Sequence, residues 1–140
     1  MDAIDAGSLQ VISSLVIQVR WSDLDAFNHV NNAVYLRYLE EARVQWLESI
    51  DGVSLNDRIA PVLAASQVNY RRSIGWPNHV LVELLIEKIG NRSLTMGHRI
   101  VSSDDPAALY ADGSVVMVWI DTETGNSVPL PDAVRIACAG

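Results

Sequence analysis

The chain has 140 residues, of which 49% are hydrophobic and 19% charged, with a formal net charge of -7 at neutral pH. That length suits one domain with a real core; the composition excludes disorder, and the acidic balance excludes a general nucleic-acid binder, whose phosphate contacts need clustered Lys and Arg. The single cysteine, Cys138, excludes a disulfide framework or a thiolate metal site and suits a reducing, cytoplasmic compartment.

The N-terminal stretch carries Asp2 and Asp5 without a basic flank, which does not read as a secretory signal. The apolar runs at 15–17 and 115–120 are far too short to cross a membrane. One domain over 1–140 is expected, loose only at its extreme ends and made an oligomer by the high surface-to-volume ratio of so short a chain.

Residues 9 to 20 alternate and are rich in Val and Ile, which predicts a first strand. The run DLDAFNHVNN from Asp23 to Asn32 breaks that periodicity. From Ala33 to about Ile50, Tyr35, Leu36, Leu39, Ala42, Trp46, Leu47 and Ile50 recur at helical spacing. Asn31 or Asn32 can cap this helix, and Asp51-Gly52 can close it. Trp46 and Tyr35 read mainly as packing residues, with the lining of an acyl pocket as the other possibility.

Strands are predicted at 61–73, 79–89, 92–102 and 107–121, separated by turn residues, with a tight hairpin at Gly90-Asn91. The tail from 127 to 140 is assigned no element. The fold class is therefore α+β, one long helix beside a five-stranded antiparallel sheet.

Between Arg71 and Arg99 the basic residues Arg71, Arg72, Lys88, Arg92 and Arg99 outnumber Glu83 and Glu87. They suit either a small phosphorylated ligand or solvated strand-edge charges. The sharper signal is the crowd of polar groups before the helix. Thioester hydrolysis develops negative charge on the carbonyl oxygen, and backbone N–H groups near Asn31 to Ala33 at a helix N-terminus could receive it. Asp25, ionised at neutral pH, could attack as a nucleophile or activate water. His29 could hold that carboxylate, relay a proton or simply pin the loop. A turn with capping carboxylates at Asp23 and Asp25 is the plainer reading, and a metal bound by Asp23, Asp25 and His29 the weakest, since His79 and His98 are isolated on predicted strands.

The segment DAFNHVNNAVYLRYLEEAR from Asp25 to Arg43 resembles the signature of hotdog-fold acyl-CoA thioesterases of the 4-hydroxybenzoyl-CoA thioesterase class. The likeness extends to NYR at 69–71, IGNRS at 89–93, ADGS at 111–114, VWID at 118–121 and PLP at 129–131. It implies one long central helix wrapped by the sheet, two subunits joining their sheets into a homodimer or a further-paired homotetramer, catalysis by Asp25, and polarisation of the thioester carbonyl by the backbone N–H of Asn32. It also implies that His29 and Asn31 belong to the site, that Arg71 and Arg92 contact the phosphates of coenzyme A, and that coenzyme A enters as part of the substrate with no cofactor or metal. Two departures touch the pocket mouth: Arg72 follows Arg71 where many relatives carry Pro, and Trp76 stands where a small acidic residue is common.

The expected activity is hydrolysis of acyl-CoA thioesters to free acid and coenzyme A, with Asp25, His29 and Asn32 catalytic and Asn31, Tyr35, Arg71 and Arg92 binding substrate. The alternative is a non-catalytic acyl-CoA or acyl-carrier binding module on the same fold. A hotdog dehydratase ranks below both, because such enzymes resemble a different arrangement around their histidine.

Overall fold

The computed structural model describes residues 9–140; Asp2, Asp5 and the N-terminal end expected to be loose lie outside the described residues. The elements run β1 (Val11–Gln18), a short 3-10 turn (Trp21–Asp23), α1 (Asn32–Glu48), β2 (Ile59–Tyr70), β3 (His79–Ile89), β4 (Ser93–Ser102), β5 (Leu109–Asp121) and α2 (Asp132–Ala139). The strands form one antiparallel sheet in the order β1-β3-β4-β5-β2. Consecutive hairpins join β3 to β4 and β4 to β5, while β2, carried away from β1 by α1, pairs with β5 at the far edge.

Alternation along the inner strands sorts side chains between the faces. Val80, Val82 and Leu84 on β3, Leu94, Met96 and Ile100 on β4, and Val115, Met117 and Trp119 on β5 join Tyr35, Leu39, Ala42 and Trp46 of α1 in one core cluster. Trp46 is thus a packing residue. The predicted hairpin forms where Gly90 N donates to Ser93 O at 2.8 Å. β2 ends at Tyr70, earlier than its pattern predicts, because the amides of Arg71 and Arg72 both turn onto Tyr110 O at 2.8 and 3.1 Å.

The expectation of one long central helix is corrected: helical structure is divided between α1, with 17 residues, and α2, with 8. So short a helix carries little periodic signal and is held by tertiary contacts. Val134 and Cys138 enter the core, and the Arg135 guanidinium donates to Gly90 O and Asn91 O at 2.8 and 2.9 Å, tying α2 to the β3–β4 hairpin. At the other helix end, α1 stops at Glu48 with Ser49 as its cap, and Gly52, at φ +88°, makes the left-handed turn beyond it.

A polar group interrupts the core face of β4. His98 is 1% exposed, and its Nε2–H donates to Gln67 O at 2.9 Å. The bond crosses Gly113, where a Cβ would stand 2.0 Å from Gln67 O and 2.8 Å from the ring nitrogen. Gly113→Ala therefore drives a methyl into backbone and should lower stability by about 2 kcal/mol or more in urea denaturation.

Burial holds the His98 imidazole neutral, its pKa lowered to about 4, opposed by the bond to Gln67 and helped by the Arg43 charge. Between that value and the ordinary value near 6.5 the unfolded chain binds a proton that the folded chain refuses, so this contribution is full at higher pH and is lost as pH falls. Going from pH 7 to 5 should cost the wild-type protein about 2 kcal/mol more than His98→Gln, measured as the difference between their denaturation curves.

Candidate active site

The chain between β1 and α1 is closed by its own backbone. Leu24 and Val30 form an antiparallel bridge, Asp25 N donates to His29 O at 3.0 Å, and Asn28 N donates to Asp25 O at 3.0 Å. The turn needs a residue at positive φ, and Asn28 supplies it at 62°, a conformation that a short amide side chain tolerates. Two further bonds fasten this turn to the body: Val30 N to Ile74 O at 2.9 Å and Asn31 N to Asp23 O at 3.0 Å. Ile74 is wholly buried, so the anchor is rigid.

Asp23 and Asp25 divide the roles that the sequence leaves open. The Asp23 carboxylate faces inward, with Oδ2 accepting from Arg20 N at 2.9 Å and from the Tyr38 hydroxyl at 2.7 Å. Burial, then this hydrogen bond, holds the Tyr38 phenol protonated far above its ordinary range. Asp23 is a structural staple between the turn and α1. Asp25 is half-buried; its Oδ1 accepts from Phe27 N at 2.9 Å, while Oδ2 has no protein partner among the described residues.

The helix N-terminus beside it is nearly saturated. Asn31 is the cap, its Oδ1 accepting from Ala33 N at 2.9 Å and its carbonyl accepting from Val34 N at 2.9 Å. Asn31 N is itself held by Asp23 O. Of the amides from Asn31 to Val34, only that of Asn32 has no acceptor among the described residues. An N–H left open at the positive end of a helix is a site for an oxyanion. The peptide after it is steadied by Tyr70, whose hydroxyl donates to Asn32 O at 3.1 Å.

Asp25, His29, Asn32, Tyr35, Tyr70 and Arg72 line one recess of about 440 Å³. Tyr35 and Tyr70 meet edge to face at 4.9 Å, and the Tyr35 hydroxyl donates to Arg72 O at 3.3 Å. Tyr35 therefore packs and lines the recess together. His29 is exposed, and its ring makes no hydrogen bond to Asp25 among the described residues; its carbonyl closes the turn instead.

The two arginines expected at the coenzyme phosphates are placed differently. Arg71 borders the recess, but its guanidinium is held by the buried Asp112 carboxylate, at 3.1 Å from Nε and 3.0 Å from Nη2. Its charge is neutralised there. Arg92 donates to Ser127 at 2.8 and 3.0 Å and sits beside Trp119, at the end of β5 away from Ala111 and Tyr70. Within one chain it does not meet Asp25. Tyr70 and Ser73, which the residue pattern does not single out, complete the recess; the signal for Tyr70 was its place beside Arg71 in the NYR block. Among the described residues no group of three or more His, Cys, Asp or Glu side chains could hold a metal ion, and no helix is long and apolar enough to cross a membrane.

Residues 19–138 match the thioesterase-like superfamily. The chain belongs to that superfamily. Long-chain acyl-CoA thioesterase FadM of Escherichia coli is 30% identical over 121 residues, 85% of this chain and 91% of FadM. Among solved structures, the XC229 protein of Xanthomonas campestris is 54% identical with a TM-score of 0.76, covering 81% of this chain and 96% of its own. A thioesterase from Thermus thermophilus, solved with coenzyme A and Zn, is 32% identical with a TM-score of 0.78 over 93% of this chain and 99% of its own. The five-stranded antiparallel sheet with its helices is thus the hotdog-like thioesterase fold, and the chain is a thioester hydrolase.

The turn that carries Asp25 depends on the backbone of Asn28. Asn28→Gly should leave stability within about 0.5 kcal/mol of wild type, whereas Asn28→Val, branched at Cβ in a left-handed position, should cost about 1–3 kcal/mol in thermal denaturation and reduce turnover with it.

Proposed function

We propose that this thioesterase hydrolyses acyl-CoA thioesters within a single hotdog domain, with Asp25 as the catalytic carboxylate and Asn32 N–H as the oxyanion donor. The observation that carries this reading is the pairing of one uncommitted carboxylate oxygen, Asp25 Oδ2, with one uncommitted helix amide across a shared recess. The motif from Asp25 to Arg43 resembles the signature of the 4-hydroxybenzoyl-CoA thioesterase class, and the likeness to FadM and to the coenzyme A complex from Thermus supports an acyl-CoA as substrate.

In this mechanism the thioester carbonyl oxygen sits on Asn32 N–H. In one route Asp25 takes the proton of a water whose oxygen attacks the carbonyl carbon; the C–S bond breaks, the free acid forms, and that proton passes to the coenzyme A thiolate. In the other, Asp25 itself attacks the carbonyl carbon; the C–S bond breaks to leave an acyl-Asp25 anhydride and the thiolate, and water then hydrolyses the anhydride, releasing the free acid, restoring the carboxylate and supplying the thiolate's proton. A preorganised donor at the developing oxyanion contributes a rate factor of roughly 10² to 10³. His29, exposed at the rim, is positioned to meet the leaving group, while Asn31 holds the helix end and Tyr35 forms the recess wall. No cofactor is required, since coenzyme A arrives with the substrate.

The active unit is a homodimer. β2 pairs with β5 on one side only, and its Val62 and Leu63 are 43% and 51% exposed. A long apolar edge strand of this kind invites pairing, and a two-fold axis across β2 covers both copies at once. The same axis carries the hairpin with Arg92 of one copy toward the recess of the other, which suits a phosphate contact between subunits. Arg72, which lines the recess with Asp25, has no carboxylate partner among the described residues.

Two substitutions test the chemistry. Asp25→Asn should lower kcat roughly 10²- to 10⁴-fold while the fold is kept. Asn32→Pro deletes the proposed donor at the first helical position, where Pro is favoured, and follows Asn31 at φ -61° and ψ 142°, which Pro accepts. It should reduce kcat roughly 10²- to 10³-fold and change stability by no more than about 1 kcal/mol. Near wild-type release of free thiol by either variant would reject the mechanism.

A further inference from the structure

Two cavities of opposite character border α1. At its C-terminal end an apolar cleft of about 700 Å³ is walled by Val44, Leu47, Val53, Trp119 and Val134, with Ile59–Pro61 of β2 on its rim. The recess at its N-terminal end is lined instead by polar groups, among them Asp25, His29, Asn32, Tyr70 and Ser73. Walls of that kind suit a part of the ligand that carries hydrogen-bonding groups of its own. In a coenzyme A thioester that part is the arm on the sulfur side: two methylenes separate the sulfur from an amide N–H, a donor that needs an acceptor wherever water is excluded.

Tyr70 offers such an acceptor in a fixed place. Its hydroxyl commits its one proton to Asn32 O at 3.1 Å, which leaves the lone pairs of the oxygen, and no group among the described residues donates to them. Donating a proton also makes that oxygen a better acceptor. The ring is held as well. It meets Tyr35 edge to face at 4.9 Å, and Tyr35, 3% exposed, is pinned by its own bond to Arg72 O at 3.3 Å. Behind the ring, Tyr70 pairs with Ala111 of β5, and the next two amides turn onto Tyr110 O. Tyr70 is nevertheless 47% exposed and lines the recess, so a ligand there can reach it.

The distances close. Asn32 O lies three covalent bonds from Asn32 N, so the Tyr70 oxygen stands no more than about 7 Å from the proposed oxyanion donor. In the substrate, four single bonds join the thioester carbonyl carbon to the first nitrogen of the arm, a span of about 5 Å when extended. A carbonyl oxygen seated on Asn32 N–H can therefore place that nitrogen within hydrogen-bond reach of Tyr70. His29 and Ser73 also line the recess, but no bond among the described residues ties either side chain to the helix end. We infer that the Tyr70 hydroxyl accepts from the first amide N–H of the coenzyme's arm while it donates to Asn32 O, so that one hydroxyl joins the oxyanion helix to the leaving group. The ligand class is a thioester whose sulfur carries a 2-amidoethyl group, and Tyr70 sets the preference for it over a plain alkyl thioester. This rests on the Asp25 and Asn32 site proposed above.

A comparison of two enzymes on two substrates tests the contact. The substrates are the decanoyl thioester of N-acetylcysteamine and its isostere in which an ester oxygen replaces the amide N–H, and thiol release gives kcat/KM for each. The wild-type enzyme should favour the amide roughly 3- to 10-fold, the worth of one neutral hydrogen bond. Tyr70→Phe keeps the ring against Tyr35 and removes the oxygen. It should slow both substrates through the lost bond to Asn32 O and bring the ratio between them to about 1. Tyr70→Leu, the second variant should the first fail to fold, should level the ratio in the same way. A residue that only held the helix end would lower both substrates alike and keep the wild-type ratio, and that result would overturn the inference. Equal rates for the two substrates in the wild-type enzyme would overturn it too. Failure of the underlying site shows differently: near wild-type turnover by Asp25→Asn or Asn32→Pro rejects that site whatever the ratio.

Discussion

Everything this thioesterase is proposed to do depends on a helix end whose donors are all taken but one. Helix N-termini leave amides without intrahelical partners, and here Asn31 satisfies Ala33 with its side chain and Val34 with its carbonyl, while Asp23 O takes Asn31 N. Among the described residues, what remains open is the amide of Asn32. The same bonds that saturate its neighbours also fix the direction in which it points, so a carbonyl oxygen arriving there meets a donor that needs no reorganisation.

The carboxylate opposite is placed by backbone rather than by side-chain contacts. The bridge between Leu24 and Val30, the closure from Asp25 N to His29 O and the anchor from Val30 N to the buried Ile74 make the turn a rigid bracket on the end of the sheet. Asp23 and Tyr38 complete the bracket from inside. Asp25 can then keep one oxygen uncommitted without unravelling the turn, since its other oxygen holds only the amide of Phe27. The sheet contributes at longer range. Its edge strand β2 lines the apolar cleft with its first residues and steadies Asn32 O with its last, so one element couples the proposed site to the proposed subunit contact.

Most of the strands, α1 and the Asp25 recess were legible because each rests on a local signal. Alternation marked β1, turn residues bounded β3, β4 and β5, three-and-four spacing marked α1, and Gly90-Asn91 marked the hairpin. What the sequence leaves hidden shares a cause: it depends on groups distant along the chain. α2 is short and is held by Arg135 reaching the β3–β4 hairpin. Nothing near Arg71 in sequence betrays Asp112, 41 residues away, which binds its guanidinium. A motif gives no sense of which end of a sheet its hairpin occupies, so the place of Arg92 beside Trp119 and Ser127 was hidden. His98 read as an isolated strand residue, and only the bare Cα of Gly113 reveals the bond to Gln67 that keeps it in the core.

The central claim concerns where a carbonyl oxygen rests, and a structure bound to an acyl-CoA analogue with a methylene in place of the thioester sulfur measures that directly. The account expects the analogue's carbonyl oxygen about 3 Å from Asn32 N, with the Asp25 carboxylate facing the carbonyl carbon from the other side. A carbonyl oxygen bound to any other donor, with Asn32 N–H turned to solvent, would contradict it.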